Sequence, residues 1–235
     1  MKRLYFLPPL ILQTIIWIPT RIYFKLVHSY SVQGLKNLKR LKHNKNGVIF
    51  AVNHSSELDP IMIPASLPFL SHMMPMFYVS REKKFYDNSG WRQHIYGGRF
   101  FNAWGAYTVY TGLKNYDLSL KHHIKILNDG RSVCIFPEGR KTRDGNIGEG
   151  KPGTSFLSYK TNSPIVPVRI NGLYKPLVQK DKLGRTKIEV IFGEPIYPKD
   201  LFGSAISENS EEGKDISIEE FKRTREVVMD SIRNL

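Results

Sequence analysis

The chain reads as an α/β fold, a mixed, largely parallel sheet flanked by helices, with a membrane-associated helical segment at its N-terminus. Three observations predict it. Six short runs rich in β-branched and aromatic residues recur along the chain, helical patterns lie between several of them, and 235 residues suffice for one well-buried core. No internal repeat or interdomain linker interrupts them.

The first element is Leu4 to Ile18, strongly apolar, flanked by Lys2, Arg3, Arg21 and Lys25 and carrying Phe6, Trp17, Tyr23 and Phe24 as aromatic anchors. The first 56 residues hold nine Lys or Arg and no Asp or Glu. A full span needs about 20 apolar residues, and Pro8-Pro9, Gln13 and Pro19 break this one. The pattern favours an interfacial or half-inserted helix pair over a full span, a cleaved signal peptide or a core helix. Residues 1–45 are therefore read as a basic, membrane-associated segment, 46–202 as the chemical domain, and 203–235 as a connector with a C-terminal amphipathic helix.

Strands are expected at Val48 to Val52, Met76 to Ser80, Ala106 to Tyr110, Ser132 to Phe136, Ile165 to Ile170 and Lys187 to Phe192. A helix is expected over Asn115 to Asn128, with Leu118, Leu120, Ile124 and Leu127 on its apolar face and Gly130 ending it. Residues 203 to 216, rich in Ser, Glu and Gly, read as a mobile connector. Ser217 to Glu220 is a capping-box pattern that starts a helix burying Ile218, Phe221, Val228 and Ile232. Met73, Met74 and Met76 with Phe77 read as core in preference to an acyl channel.

Chemistry concentrates in two places. Asn53-His54-Ser55-Ser56-Glu57-Leu58-Asp59-Pro60 follows the first predicted strand. On an ideal helix, at about 100° per residue, His54 and Asp59 would point roughly 140° apart, so the pair meets only across a turn. Pro60 supports one: it disfavours the α region for Asp59 and suits a helix's first position, which makes Asp59 an N-cap or loop residue. A neutral imidazole whose other nitrogen faces a carboxylate can take a hydroxyl proton near pH 7. No serine sits in a nucleophile-elbow pattern, so the attacking hydroxyl belongs to a substrate. On spacing alone the pair reads equally well as a loop histidine and a helix cap. The second place is Phe136-Pro137-Glu138-Gly139-Arg140-Lys141-Thr142-Arg143, where a strand runs into glycine and three cations. Such a mixture suits phosphate or carboxylate, or else a solvated turn. Gly148 to Gly153, with Lys151, repeats it.

Together, N-H-x4-D at 53 to 59 and F-P-E-G at 136 to 139 resemble the glycerophospholipid acyltransferases typified by lysophosphatidic acid acyltransferase, a likeness spanning residues 47 to 172. The resemblance implies that His54 deprotonates a glycerol hydroxyl, that Asp59 orients it, and that the oxygen attacks an acyl thioester on coenzyme A or acyl carrier protein. It also implies that Phe136, Pro137, Glu138, Gly139, Arg140 and Lys141 bind the acceptor, with Thr111, Arg143 and Lys151 as further contacts. Family members read F-P-E-G-T-R-S, so Lys141 stands at the arginine position here. A further block, near residues 105 to 111, departs more: Tyr110 and Thr111 replace an acidic residue and the arginine expected to touch the acceptor's phosphate. Arg99, Lys114 or Lys151 would then supply that charge, or the acceptor is another lysolipid. Pro164 to Val168 matches a fourth, weaker block. The implied fold is the glycerolipid acyltransferase one, with residues 46–202 as the acyltransferase domain.

A net charge of +14 favours acidic partners: anionic membrane lipids, a lysophospholipid acceptor, and acyl-CoA or acyl carrier protein. Nucleic acid is not expected, since no zinc-finger spacing, RNP-like motif or helix-turn-helix occurs. His122 and His123 are adjacent and the other histidines lack ligand spacing, so neither metal nor cofactor is expected. Cys134, the only cysteine, reads as buried packing in a strand. The expected location is the cytoplasmic face of a membrane, held monotopically or by one N-terminal anchor. A thioester hydrolase using water and a noncatalytic lipid-binding protein are the alternative functions.

Overall fold

The computed structural model describes residues 4–42, 44–82, 99–110, 113, 115–175, 178–203 and 216–235. Seven described strands form one sheet: β1 (Ser29–Gln33), β2 (Ile49–Val52), β3 (Met76–Ser80), β4 (Ala106–Thr108), β5 (Ser132–Ile135), β6 (Ile165–Asn171) and β7 (Lys187–Phe192), in the order β1-β7-β6-β2-β5-β3-β4. Five neighbouring strands, from β6 to β4, run parallel, while β7 is antiparallel to β6 and β1 parallel to β7. The sheet is mixed and largely parallel, as expected. Its central strands are apolar at consecutive positions because both faces are covered: all four residues of β2 and of β5 are buried.

Alternation along each strand divides the core into two layers. Phe50, Val52, Met76, Tyr78, Cys134, Val166 and Val168 face a layer formed by α1 (Leu7–Val27) and α2 (Asp59–Ser66), capped by Trp104 of α3 (Arg99–Trp104). Ile49, Ala51, Phe77, Val133, Ile135 and Ile165 face a second layer. It contains α5 (Lys121–Asn128), which follows the one-turn α4 (Tyr116–Ser119), then α6 (Gly153–Thr161), α7 (Pro198–Phe202) and α8 (Ile218–Arg233). Met73, Met74, Met76 and Phe77 are core residues. Cys134 is fully buried, and burial pushes its thiol pKa well up.

The N-terminus departs from expectation. α1 is one continuous helix of 21 residues, not a pair. Pro8 and Pro9 occupy its first turn, where no intrahelical N–H is required, and Pro19 is accommodated inside it. Gln13 is almost fully buried: its Nε2 donates to the carbonyls of Met76 (2.7 Å) and Trp104 (3.0 Å), and its Oε1 accepts from Met76 N (2.8 Å). The glutamine that interrupts the apolar run in the sequence is thus a tether to the sheet. Residues 29–33 form β1, so the first 45 residues do not stand apart from the domain.

Smaller differences have local causes. The helix expected over Asn115 to Asn128 is broken at Leu120, whose backbone leaves the helical region. Asn115 Oδ1 caps the first piece by accepting from Leu118 N, and Leu118 is exposed. Ser217 caps α8 as the pattern predicts, accepting from Glu220 N at 3.2 Å. Phe221, Val228 and Ile232 are buried there, whereas Ile218, in the first turn, is exposed. Most of the expected connector, residues 204–215, lies outside the described residues.

Candidate active site

β2 and β5 are adjacent and parallel, with Ala51 opposite Ile135, so their C-terminal ends open on the same rim. The chain leaving β2 enters α2 on one face of the sheet, and the chain leaving β5 reaches α6 on the other. Diverging connections of this kind open a crevice at the strand ends of α/β sheets, where ligands bind. His54 and Glu138 meet there.

The loop after β2 is held at each step. Asn53 continues the sheet with its side chain: Nδ2 donates to Ile170 O (3.0 Å) and Oδ1 accepts from Ile170 N (2.7 Å). His54 follows. Its Nδ1 lies 2.8 Å from Asp59 Oδ2, and the same oxygen accepts from Ser55 N (2.7 Å) and Ser56 N (2.9 Å). Asp59 is completely buried and is the first residue of α2, not its N-cap. Its carboxylate turns back onto the preceding turn, which closes the five-residue gap to His54. Because the carboxylate can only accept, Nδ1 donates to it, and Nε2 is the nitrogen with a lone pair.

The loop after β5 builds the other wall. Phe136 stacks on the imidazole, ring centres 4.2 Å apart and planes inclined by 21°. Glu138 is buried, with Oε1 accepting from His54 N (2.9 Å) and Oε2 from Gly148 N (3.0 Å). Thr142 N donates to His54 O at 2.8 Å. The histidine is therefore gripped through its ring, its amide and its carbonyl. Gly139 takes φ +67°, and a Cβ there would come within 2.9 Å of the Lys151 side chain. Pro137 is buried, and its carbonyl accepts from Lys151 N.

The expected substrate-binding residues thus divide into two groups. Glu138 accepts one backbone amide at each oxygen, which makes it a positioning group for His54. Arg140, Lys141, Arg143 and Lys151 are exposed around Gly139, with Lys141 Nζ 3.1 Å from Glu57 Oε1. Thr111 and Lys114 lie outside the described residues, as does the Arg99 side chain. Sequence reasoning missed Arg81, which follows β3 and donates from Nη2 to Gly139 O. A cation directly after a predicted strand is a signal, but only the placement of β3 beside β5 brings it to Gly139.

A family profile described as Acyltransferase matches residues 29–171. The chain belongs to that acyltransferase family. Among named relatives it is similar to a probable 1-acyl-sn-glycerol-3-phosphate acyltransferase of Mycoplasma pneumoniae, 27% identical over 162 residues, covering 66% of this chain and 58% of that protein. It is likewise 27% identical over 157 residues to the 1-acyl-sn-glycerol-3-phosphate acyltransferase of Bacillus subtilis, covering 66% of this chain and 70% of the relative. The chain thus spans little more than half of the first relative's length. The crystal structure of the 1-acyl-sn-glycerophosphate acyltransferase of Thermotoga maritima matches the fold at a TM-score of 0.59 and 20% identity, over 96% of this chain and 79% of that one. For this acyltransferase-family chain, the fold expected from the resemblance is the one observed.

Proposed function

We propose that the protein transfers a fatty acyl group from an acyl thioester to the free hydroxyl of 1-acylglycerol 3-phosphate, giving phosphatidic acid. The observation that carries the reading is the 2.8 Å bond from His54 Nδ1 to buried Asp59, with the opposite nitrogen left as base. The acceptor's proton passes to Nε2 as its oxygen bonds to the thioester carbonyl carbon. The adduct then collapses, the C–S bond breaks, and the imidazolium returns the proton to the thiolate. The balance needs neither metal nor cofactor, and acyl-CoA and acyl carrier protein present the same thioester. The names of the relatives support this acceptor. So does the rim of Arg81, Lys141 and Lys151 about Gly139, which offers cations to a phosphate although position 111 is threonine.

The reaction takes place at a membrane surface on the cytoplasmic side. Among the described residues, α1 alone is long and apolar enough to cross a membrane. Its docking favours lying on the surface instead: Gln13, Trp17 and Arg21 are bonded to backbone carbonyls of the domain. Leu7, Ile11, Ile15, Ile18, Ile22 and Leu26 form an outward stripe at helical spacing, with Leu26 72% exposed.

The test is thiol release from an acyl thioester by vesicle-bound protein, with and without 1-acylglycerol 3-phosphate, beside His54→Ala. Release requiring both the acceptor and His54, with phosphatidic acid formed, is expected, and the variant loses about 100- to 10,000-fold. Release without acceptor would make the protein a hydrolase. Wild-type turnover by His54→Ala would overturn the mechanism.

A further inference from the structure

On the flank of the catalytic loop bordered by β6, a cavity of about 480 Å³ opens over β6, β7 and β1, within the roughly 300–1,000 Å³ range of small-molecule sites. It reaches the loop at Asn53 and Ser55, the residues on either side of His54. Strand register builds its floor. Ser29 pairs with Lys187 and Ser31 with Glu189 across β1 and β7, and Asn171 pairs with Glu189 across β6 and β7. These positions alternate with Ile170 and Ile188, which belong to the α1 and α2 layer. The floor is therefore a row of hydroxyl, amide and charged groups on the opposite face. Tyr174 Oη donates to Arg143 O at 2.6 Å, joining the chain after β6 to the catalytic loop after β5, which also lines the cavity at Gly145 and Ile147.

Such a lining gives a fatty chain little apolar wall, but it suits a polar ligand with an anionic end. Arg169 is half-buried, and its described partners are neutral: Nη1 donates to Arg233 O (2.6 Å) and Nε to Asn171 Oδ1 (3.0 Å). A half-buried guanidinium bonded only to neutral oxygens retains strong attraction for phosphate. Lys187 stands exposed at the other end of this row, beyond Glu189 along β7. Glu189, the carboxylate in the lining, is occupied by the side-chain amides of Gln33 and Asn171. The Gly139 rim, on the β5 side of His54, already offers cations to the acceptor.

We propose that this cavity seats the phosphopantetheine arm of the acyl donor, with Arg169 and Lys187 on its phosphate, Asn171 and Gln179 on its amides, and the thioester end toward Asn53 and Ser55. The inference rests on the acyl-transfer reading. The arm is common to coenzyme A and acyl carrier protein, so one pocket serves either.

Initial rates of the full chain on vesicles, varied in acyl-CoA, in acyl carrier protein and in lysolipid, test it with Arg169→Met, Arg169→Lys and Lys187→Met. The expected result is a donor KM raised about tenfold with either donor the protein uses. Arg169→Lys should recover part of that loss, with kcat and acceptor KM staying within about twofold. Phosphopantetheine should compete with the donor and pantetheine should bind about tenfold more weakly, a gap that closes in the methionine variants. A rise in acceptor KM instead, loss confined to acyl-CoA when both donors are used, or unchanged kinetics would overturn the proposal. Lys187→Met, at an exposed position, decides if the Arg169 variants do not fold. If the wild type releases no thiol, the acyl-transfer reading fails. Calorimetry with phosphopantetheine then still decides the site: binding lost in Lys187→Met supports it, and no binding overturns it.

Discussion

The catalytic rim and the N-terminal helix are both placed by a few buried polar bonds, but these run in opposite directions. At the rim, main-chain N–H groups of His54, Ser55, Ser56 and Gly148 donate into the carboxylates of Glu138 and Asp59. On α1, side chains of Gln13, Trp17 and Arg21 donate outward to main-chain carbonyls of Met76, Leu67 and Ala65. In the first case side chains immobilise a loop, and one oxygen of buried Asp59 accepts two amides while also orienting the imidazole. In the second, polar side chains spend themselves on docking, which frees the apolar ones to face outward. Side-chain to main-chain bonds therefore organise the candidate reaction centre at one place and an exposed apolar helix face at the other.

Substitutions can separate the two roles. The largest effect is expected from Asp59→Asn, which alters the group facing Nδ1 and costs about 1,000- to 10,000-fold in kcat. Turnover of vesicle-bound protein measures it, and a loss below tenfold would mean that the carboxylate only closes the turn. Next, Gln13→Leu leaves the N–H and carbonyl of Met76 without their tether and should cost roughly 2–4 kcal/mol in urea unfolding. Residual kcat should stay near wild type, because the bond lies at the start of β3, away from the rim.

Glu138→Gln should lower kcat about 10- to 30-fold with little change in acceptor KM, since it weakens two charge-assisted bonds that position the backbone around His54. A rise in acceptor KM alone would return Glu138 to a binding role. The smallest effect belongs to the exposed stripe. Ile15→Glu should leave the unfolding midpoint within about 0.5 kcal/mol while weakening vesicle sedimentation by roughly 1–2 kcal/mol. Undiminished sedimentation would place the lipid contact elsewhere.

Much was legible locally. Runs of buried β-branched and aromatic residues marked the strands from β2 to β7, because a strand covered on both faces must be apolar throughout. The turn between His54 and Asp59 followed from helical geometry and Pro60, and the Ser217 cap from its pattern. What misled were residues whose meaning depends on a distant partner. Gln13 and the prolines read as interruptions because nothing nearby reveals that Gln13 meets Met76 and Trp104. Ser29 to Gln33 gave little strand signal, because an edge strand exposed in part needs no continuous apolar run.

By itself, then, the sequence determined the α/β class, the histidine and carboxylate pair, the glycine-rich cationic block and the family that joins them. All of these rest on residue chemistry and short spacings. The tertiary structure alone decided that β2 lies beside β5 and β3 beyond it, which carries Glu138 to the amide of His54 and Arg81 to Gly139. It also decided that β1 and β7 reverse direction to floor a polar cavity beside the same loop. The reason is physical: strand order is set by the packing of whole layers, and no local pattern of side chains encodes which strand ends will share a rim.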